Sequence, residues 1–310
     1  MKKYLFTILI FLSFLLISCQ KELEYDIVTT TYFQHDIVKN IVKDKMTVDV
    51  LTKPGIDNHD FMPSSKQMAN IKNSKLFTFT SYEVDHWLNE NVNQLVGSET
   101  IVVNLNDFNN LEINDLHYWT DPVLIMDFIT VIKDEIIKID PSNKAFYESN
   151  ATSYLNSINE VHLAMTAYFN SKENISIYFA GHNAMHYFEE RYNITITALS
   201  NTNKPDADLT STQITTLLET IKTNQIHYLF TEELKEPKVA ITIKNELAKE
   251  NYELTLLELH GYHNVSKEDF DNNVTYLDLL NSNFENIKLA LGEWNGNFIC
   301  WKFKCNLFWI

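Results

Sequence analysis

The sequence predicts an α/β protein of two similar lobes. Each lobe is a parallel β-sheet flanked by helices, and one long spine helix joins them with a cleft between. Three observations predict it. Short apolar, β-rich runs alternate with helical stretches on both sides of the chain's middle, the pattern of a parallel sheet covered by helices. Neither proline nor glycine occurs between Pro141 and Gly181, which leaves room for one uninterrupted helix. The halves also echo each other. Met62-Pro63-Ser64-Ser65-Lys66-Gln67 leads to Leu76-Phe77-Thr78-Phe79, and Asp208-Leu209-Thr210-Ser211-Thr212-Gln213 leads to Tyr228-Leu229-Phe230-Thr231.

Taken in order, the candidate strands of the first half are 27–31, 47–51, 76–80 and 101–105. Helical stretches lie at 34–43, 65–71 and 83–92. Asp140-Pro141-Ser142 is a helix-start signal with proline near the first turn. Residues 142–170 then span roughly 40 Å at 1.5 Å per residue. Phe146, Ala151, Tyr154, Leu155, Ile158, Val161 and Leu163 form an apolar stripe along it; two helices broken near Asn150 are the alternative. The second half offers strands at 175–180, 194–199, 226–231 and 254–259, with helices at 184–191, 211–223, 238–249 and 272–291. The expected division is an N-terminal lobe over 27–139, a linking helix over 140–172 and a C-terminal lobe over 173–291. The tail, 292–310, carries Cys300, Cys305, three tryptophans and three phenylalanines without clear periodicity, and is assigned no function.

Charge and composition exclude several classes. The chain has 25 basic and 41 acidic side chains, a formal charge of −16. A nucleic-acid binder needs a basic face to displace counterions. Arg191 is the only arginine, which argues against a bidentate phosphate-reading surface. The six glycines lack the spacing of a dinucleotide loop, a P-loop or a nucleophile elbow.

Lys2 and Lys3 precede an apolar run from Tyr4 to Ile17. The run is short for a membrane span of about 20 residues and reads as a secretory signal over 1–18. Its end, Leu16-Ile17-Ser18-Cys19, resembles a bacterial lipobox. The resemblance implies cleavage before Cys19, a lipidated thiol there, and a tether over 19–26. An ordinary signal peptide with a chance cysteine is the alternative. The mature chain is expected on the outer face of the cytoplasmic membrane, held by its lipid anchor.

Four of the ten histidines fall at strand ends or in βα loops: His59, His117, His182 and His263. Two come from each half, so they could converge in the cleft. Imidazole suits zinc in a tetrahedral site. His182 and His186 share an i, i+4 spacing that could also chelate a metal, and His260 competes with His263. His35, His86, His162 and His227 match no ligand pattern.

These positions resemble the zinc/manganese-type substrate-binding lipoproteins of bacterial ABC importers, from about Ile27 to Leu291. In that family the first ligand lies in P-H-[DE]-[YF]-x-P. His59-Asp60-Phe61-Met62-Pro63 matches it, with Asn58 in place of the first proline. The second lies in H-x-W-x-D-P, and His117-Tyr118-Trp119-Thr120-Asp121-Pro122 fits fully. The third follows an aromatic strand, where His182-Asn183-Ala184-Met185 stands. The fourth is a Glu, Asp or His before a Leu-Thr-like pair, where His263-Asn264-Val265-Ser266 falls. The resemblance implies the metal ligands His59, His117, His182 and His263.

Glu232 and Glu233 follow a strand facing the cleft. Either could orient an imidazole from behind; a solvated pair is the alternative. Asp121 could touch the ligand shell or cap the next helix.

The resemblance implies a monomeric metal-capture lipoprotein, not an enzyme, that delivers Zn2+ to an ABC permease with a separate ATPase. Mn2+ is the alternative metal, although four nitrogen donors favour zinc. A closed four-ligand site leaves no position for a catalytic water. Because imidazole must be neutral to ligate, affinity is expected to fall below about pH 6.5. A surface adhesin on the same fold, a three-histidine zinc hydrolase and a binder of chelated iron are the rival readings.

Overall fold

The computed structural model describes residues 25–56, 61–88, 91–108, 116–181, 184–198 and 210–292. The expected signal segment, Cys19, His59, His182 and the tail beyond Gly292 lie outside the described residues. Two four-stranded parallel sheets organise the rest. β1 (Ile27–Thr29), β2 (Val48–Val50), β3 (Leu76–Phe79) and β4 (Ile101–Asn104) pair in the order β2-β1-β3-β4. β5 (Ser176–Ala180), β6 (Thr195–Ala198), β7 (Tyr228–Thr231) and β8 (Thr255–Glu258) pair in the order β6-β5-β7-β8. The strand order is therefore the same in both lobes. The order reverses beside β1 and beside β5, and loops at the C-terminal ends there open a crevice.

The pleat decides where each side chain goes, because successive residues face opposite sides of a sheet. Ile27 and Leu76 enter one large core, while Val28, Phe77 and Phe79 enter a smaller outer one. The second sheet does the same. Ile177, Phe179, Phe230 and Leu257 enter the large core, and Leu229 and Leu256 enter another outer one. The large core contains side chains of both lobes and of the helix that joins them.

The helices are α1 (Tyr32–Val42), α2 (Ser65–Asn73), α3 (Pro122–Ile139), α4 (Lys144–Asn170), α5 (His186–Tyr192), α6 (Ser211–Thr223), α7 (Lys238–Lys249), α8 (Lys267–Asp271) and α9 (Tyr276–Ala290). The sequence echo becomes a structural one. Ser64 with Gln67 opens α2 and Thr210 with Gln213 opens α6, each by a reciprocal capping box.

The spine, α4, is continuous. Asn150 does not break it, and its Nδ2 donates to Ile41 O at 2.9 Å. Its buried line is Tyr147, Ala151, Tyr154, Ile158, Met165 and Phe169. Leu163, expected in the stripe, is 56% exposed, and Tyr147 rather than Phe146 is the buried ring of the first turn.

Three segments differ from expectation. Residues 122–139 form a helix of which only the start, a cap at Asp121, was anticipated. Asp121 accepts Val123 N–H at 2.8 Å and Pro122 occupies the first turn, a start signal that outweighs the β-branched content of the segment. Residues 83–92 do not form a helix. Ser81 Oγ accepts Val84 N–H and Asp85 accepts Thr80 N–H, so a turn is held instead, followed by short 3-10 segments at His86–Leu88 and Val92–Gln94. Within 272–291 the helix begins only at Tyr276. Asn273 is left-handed at φ 55°, and Thr275 caps α9 through Asp278.

One buried carboxylate ties three helices from both lobes. Asp36 of α1 accepts from Tyr154 OH of the spine and from Tyr276 N–H of α9, the latter at 3.2 Å. Burial pushes its carboxyl from 3.8 up to about 7, against the lowering effect of those hydrogen bonds. A folded value above the unfolded one stabilises the fold fully below the unfolded value, and the contribution is lost as pH rises through about 7. Urea titrations should therefore show wild type losing stability relative to Asp36→Asn between about pH 4 and pH 8, by a few kcal/mol at about 1.4 kcal/mol per pKa unit. A difference that does not vary with pH would contradict this.

Candidate metal centre

In the turn that precedes α3, the side chains of the H-x-W-x-D-P motif are held by neighbouring and distant groups. His117 caps a 3-10 turn over Tyr118–Thr120, and its carbonyl accepts from Thr120 Oγ1 at 2.9 Å. Tyr118 OH donates to Thr80 O, just beyond β3, at 2.6 Å. Trp119 stacks on Phe33 at 5.4 Å and presents its edge to His117 at 5.3 Å. Its Nε1 crosses the cleft to donate to Gly261 O at 2.8 Å. Asp121 caps α3 and so takes the second of its two expected roles. His117 is buried.

Opposite stands the loop after β8. Its turn is made at Tyr262, φ 62°, a conformation that costs a bulky residue energy and must be over-determined by its surroundings. Asn283 of α9 supplies much of that. It accepts His260 N–H at 2.8 Å and donates to His260 O at 2.9 Å and to Tyr262 OH at 2.6 Å. His260 supplies the rest, because its Nδ1 accepts Tyr262 N–H at 2.8 Å. His260 is thus built into the backbone turn and is almost fully buried. His263 is partly exposed and its backbone is stitched to the first lobe: its carbonyl accepts Tyr32 N–H at 3.3 Å. Asn264 Nδ2 donates to Lys53 O and Ile56 O at 2.9 and 2.7 Å, fastening this loop to the one that leads to His59.

The two glutamates are not a solvated pair. Glu233 is buried. Its Oε2 accepts Gly261 N–H at 3.0 Å, and Oε1 lies 3.2 Å from His263 Nδ1 and 3.9 Å from His260 Nδ1. Burial pushes its pKa up, but the two imidazoles and the Gly261 amide outweigh that, and the net shift is downward. An ionised carboxylate in such a place requires positive charge nearby. Glu232 lies over Gly181: a Cβ there would come within 2.3 Å of Glu232 Oε1. Each glutamate therefore rests against a loop that carries a histidine of the predicted set.

Among the described residues, no group of three or more His, Cys, Asp or Glu side chains is arranged to hold a metal. Two of the four predicted ligands are outside those residues. The remaining histidines have other settings. α5 begins at His186, which pairs with Glu190 at 3.3 Å on the surface, so the helix does not extend back to His182. His162 Nδ1 meets Tyr192 OH at 3.0 Å, and His227 stacks on Tyr252. His86 is exposed, and His35 packs against Phe270, where burial lowers its pKa to about 4. Sequence reasoning did not find the roles of Trp119, Asn264 and Asn283. Their partners lie 142, 211 and 23 residues away, and although Trp119 and Asn264 fall within quoted motifs, nothing local names those partners.

The model of the family described as zinc-uptake complex component A, periplasmic (ZnuA), matches residues 27–290. The chain is 26% identical over 287 residues to the high-affinity zinc uptake system protein ZnuA of Bacillus subtilis, covering 86% of this chain and 87% of that one. It is 23% identical to the zinc-binding lipoprotein AdcA of Streptococcus pneumoniae, covering 88% of this chain but spanning only 58% of AdcA. Its fold is similar to that of the metal-dependent lipoprotein YcdH of Bacillus subtilis (TM-score 0.74, 26% identity, 84% of this chain and 97% of that one). It is also similar to the Zn(II)-bound ZnuA-like domain of Streptococcus pneumoniae AdcA (TM-score 0.75, 23% identity, 87% and 100%). The chain belongs to the zinc-uptake complex component A family, whose members are extracytoplasmic solute-binding proteins and not enzymes.

Proposed function

We propose that His59, His117, His182 and His263 hold one Zn2+ ion in the cleft between the lobes. The observation that carries this reading is the buried Glu233 carboxylate, whose Oε1 has no hydrogen-bond partner among the described residues and lies 3.2 Å from His263 Nδ1, placed to meet that ring. A carboxylate behind an imidazole takes its Nδ1–H, fixes the tautomer with the lone pair on Nε2, and raises the basicity of that ligand. His260 cannot take the same part while its Nδ1 accepts Tyr262 N–H. Four neutral imidazoles make a closed tetrahedral zinc site. They bind cargo reversibly, with no covalent step and no open position for an attacking water. Glu232, against Gly181, takes the corresponding position behind the loop of His182.

The captured ion passes to a membrane permease driven by a separate ATPase, while the chain stays at the outer face of the cytoplasmic membrane through a lipid on Cys19. The chain acts as a monomer, with lobes over 27–139 and 173–291 and the linking helix over 140–172. The laminin-binding protein Lmb of Streptococcus agalactiae, described as having adhesin and metal-transporting activity, shares the fold at 22% identity and TM-score 0.70. An adhesin role here would not depend on the four histidines, and that distinguishes it.

Competitive titration of the mature chain should find one tightly held zinc, lost in the double variant His59→Ala, His117→Ala. Preference for manganese would overturn the choice of metal, and no stoichiometric metal in either protein would sink the capture reading. The fourth ligand is tested by a second pair. His263→Ala should weaken zinc binding by well over about a hundredfold, beyond the effect of losing an outer partner, and lower the urea midpoint less than His260→Ala does. His260→Ala should lower the urea midpoint and still bind one zinc at saturation. The opposite pattern would exchange their roles.

A further inference from the structure

We propose that the turn from His117 to Asp121 is the spacer of the cleft, and that Arg191 is the positioning residue that holds it at its second fixed point. The inference rests on the reading of His117 and His263 as zinc ligands. The turn belongs to the first lobe but is fastened to the second at two points. At its middle, Trp119 Nε1 donates to Gly261 O, two residues before His263. At its finish, the lone arginine of the chain grips Asp121. Arg191 Nε donates to Oδ1 and Oδ2 at 2.9 Å each, and Nη2 donates to Oδ2 at 2.6 Å. Arg191 lies in the last turn of α5, the helix that begins four residues after His182.

The two fixed points differ in kind. Trp119 sits in dense packing against Phe33 and Tyr118. Beside Asp121 there is instead an open surface depression of about 320 Å³, lined by Asp121, Leu124, Tyr187, Glu190 and Arg191. Here the separation is set by a planar fork on a carboxylate rather than by contact of apolar surfaces. Such a fork fixes direction as well as distance, which an ammonium cannot do. Asp121 is itself immobile, because it is buried and its Oδ1 also caps α3. The same end of α5 is also tied to the spine, with Tyr192 OH on His162. A zinc site tolerates ligand displacements of only about 0.2 Å. Slack in this pair would move His117 relative to the ligands of the second lobe.

The test uses the mature chain as wild type, Arg191→Gln and Arg191→Lys. Zinc affinity is measured by chelator competition, the visible absorption of the Co2+-loaded protein reports ligand geometry, and amide hydrogen exchange is followed in the metal-free protein. Arg191→Gln should weaken zinc binding by about tenfold or more, reduce the tetrahedral Co2+ absorption, and speed exchange at 117–121. Arg191→Lys should fall between it and wild type, and it remains informative if the glutamine variant folds poorly. Unchanged zinc affinity and an unchanged Co2+ spectrum would overturn the proposal even if the melting temperature fell, since the pair would then be only a brace. If wild type itself holds no zinc, the four-histidine reading fails separately. Unchanged exchange at 117–121 in the metal-free variants would then overturn the spacer as well.

Discussion

Both lobes are built on one hydrophobic core, and this constraint governs what the cleft can do. Ile27 and Phe33 from the first lobe, Tyr147 and Ile158 from the spine, and Phe179 and Phe230 from the second belong to the same buried cluster. Opening the lobes as rigid halves would expose part of that cluster, at about 25 cal/mol for each Å² of apolar surface returned to water. A hinge bending about a slender linker is therefore disfavoured. Motion that admits or releases cargo is thereby confined to the loops at the strand ends, and even there Trp119 and Tyr262 are buried in that core.

Those loops are secured unequally. The turn at 117–121 is anchored through Tyr118, Trp119 and Asp121, and the turn at 260–263 through Asn283 and Glu233. Both tie polar backbone groups away from water to fixed partners, which is what preorganises a ligand set. Burial of Glu233 beside two imidazoles adds electrostatic selection. A cation at His263 would meet a carboxylate whose charge is already favoured by its surroundings. The acidic balance of the chain, −16 overall, acts in the same direction at long range by attracting cations to the surface.

How much of this was legible in the sequence depends on how local its cause is. Both sheets were, because buried parallel strands are short apolar runs. The spine was, because an absence of proline and glycine is a local fact. Only the start of α3 was legible, at the capping candidate Asp121, because Val123, Ile125, Ile129, Val131 and Ile132 weigh toward strand over the rest of it. The turn after β3 defeated helical expectation because Asp85 reaches back to Thr80 N–H. At the site, the histidine motifs were legible as short patterns. The choice between His260 and His263 was not, since it turns on a backbone N–H meeting one ring nitrogen. Arg191 was visible as the only arginine, which excluded one chemistry; its carboxylate stands 70 residues away, and nothing local names it.

The repeated topology bears on why the proposed ligands are arranged as they are. Matching the two sheets strand for strand sets β4 beside β8 and β1 beside β5. His117 and His263 then follow equivalent strands, and each sits in a loop whose backbone is clamped. His59 and His182 do not correspond: one follows β2 and the other follows β5. A duplicated α/β unit supplies two symmetric loops facing one cleft, but four nitrogens around a single ion must be tetrahedral rather than twofold copies placed at will. The second pair is free to come from whichever strand ends reach the ion. Symmetry of the scaffold thus accounts for one pair of ligands, and coordination geometry for the departure of the other.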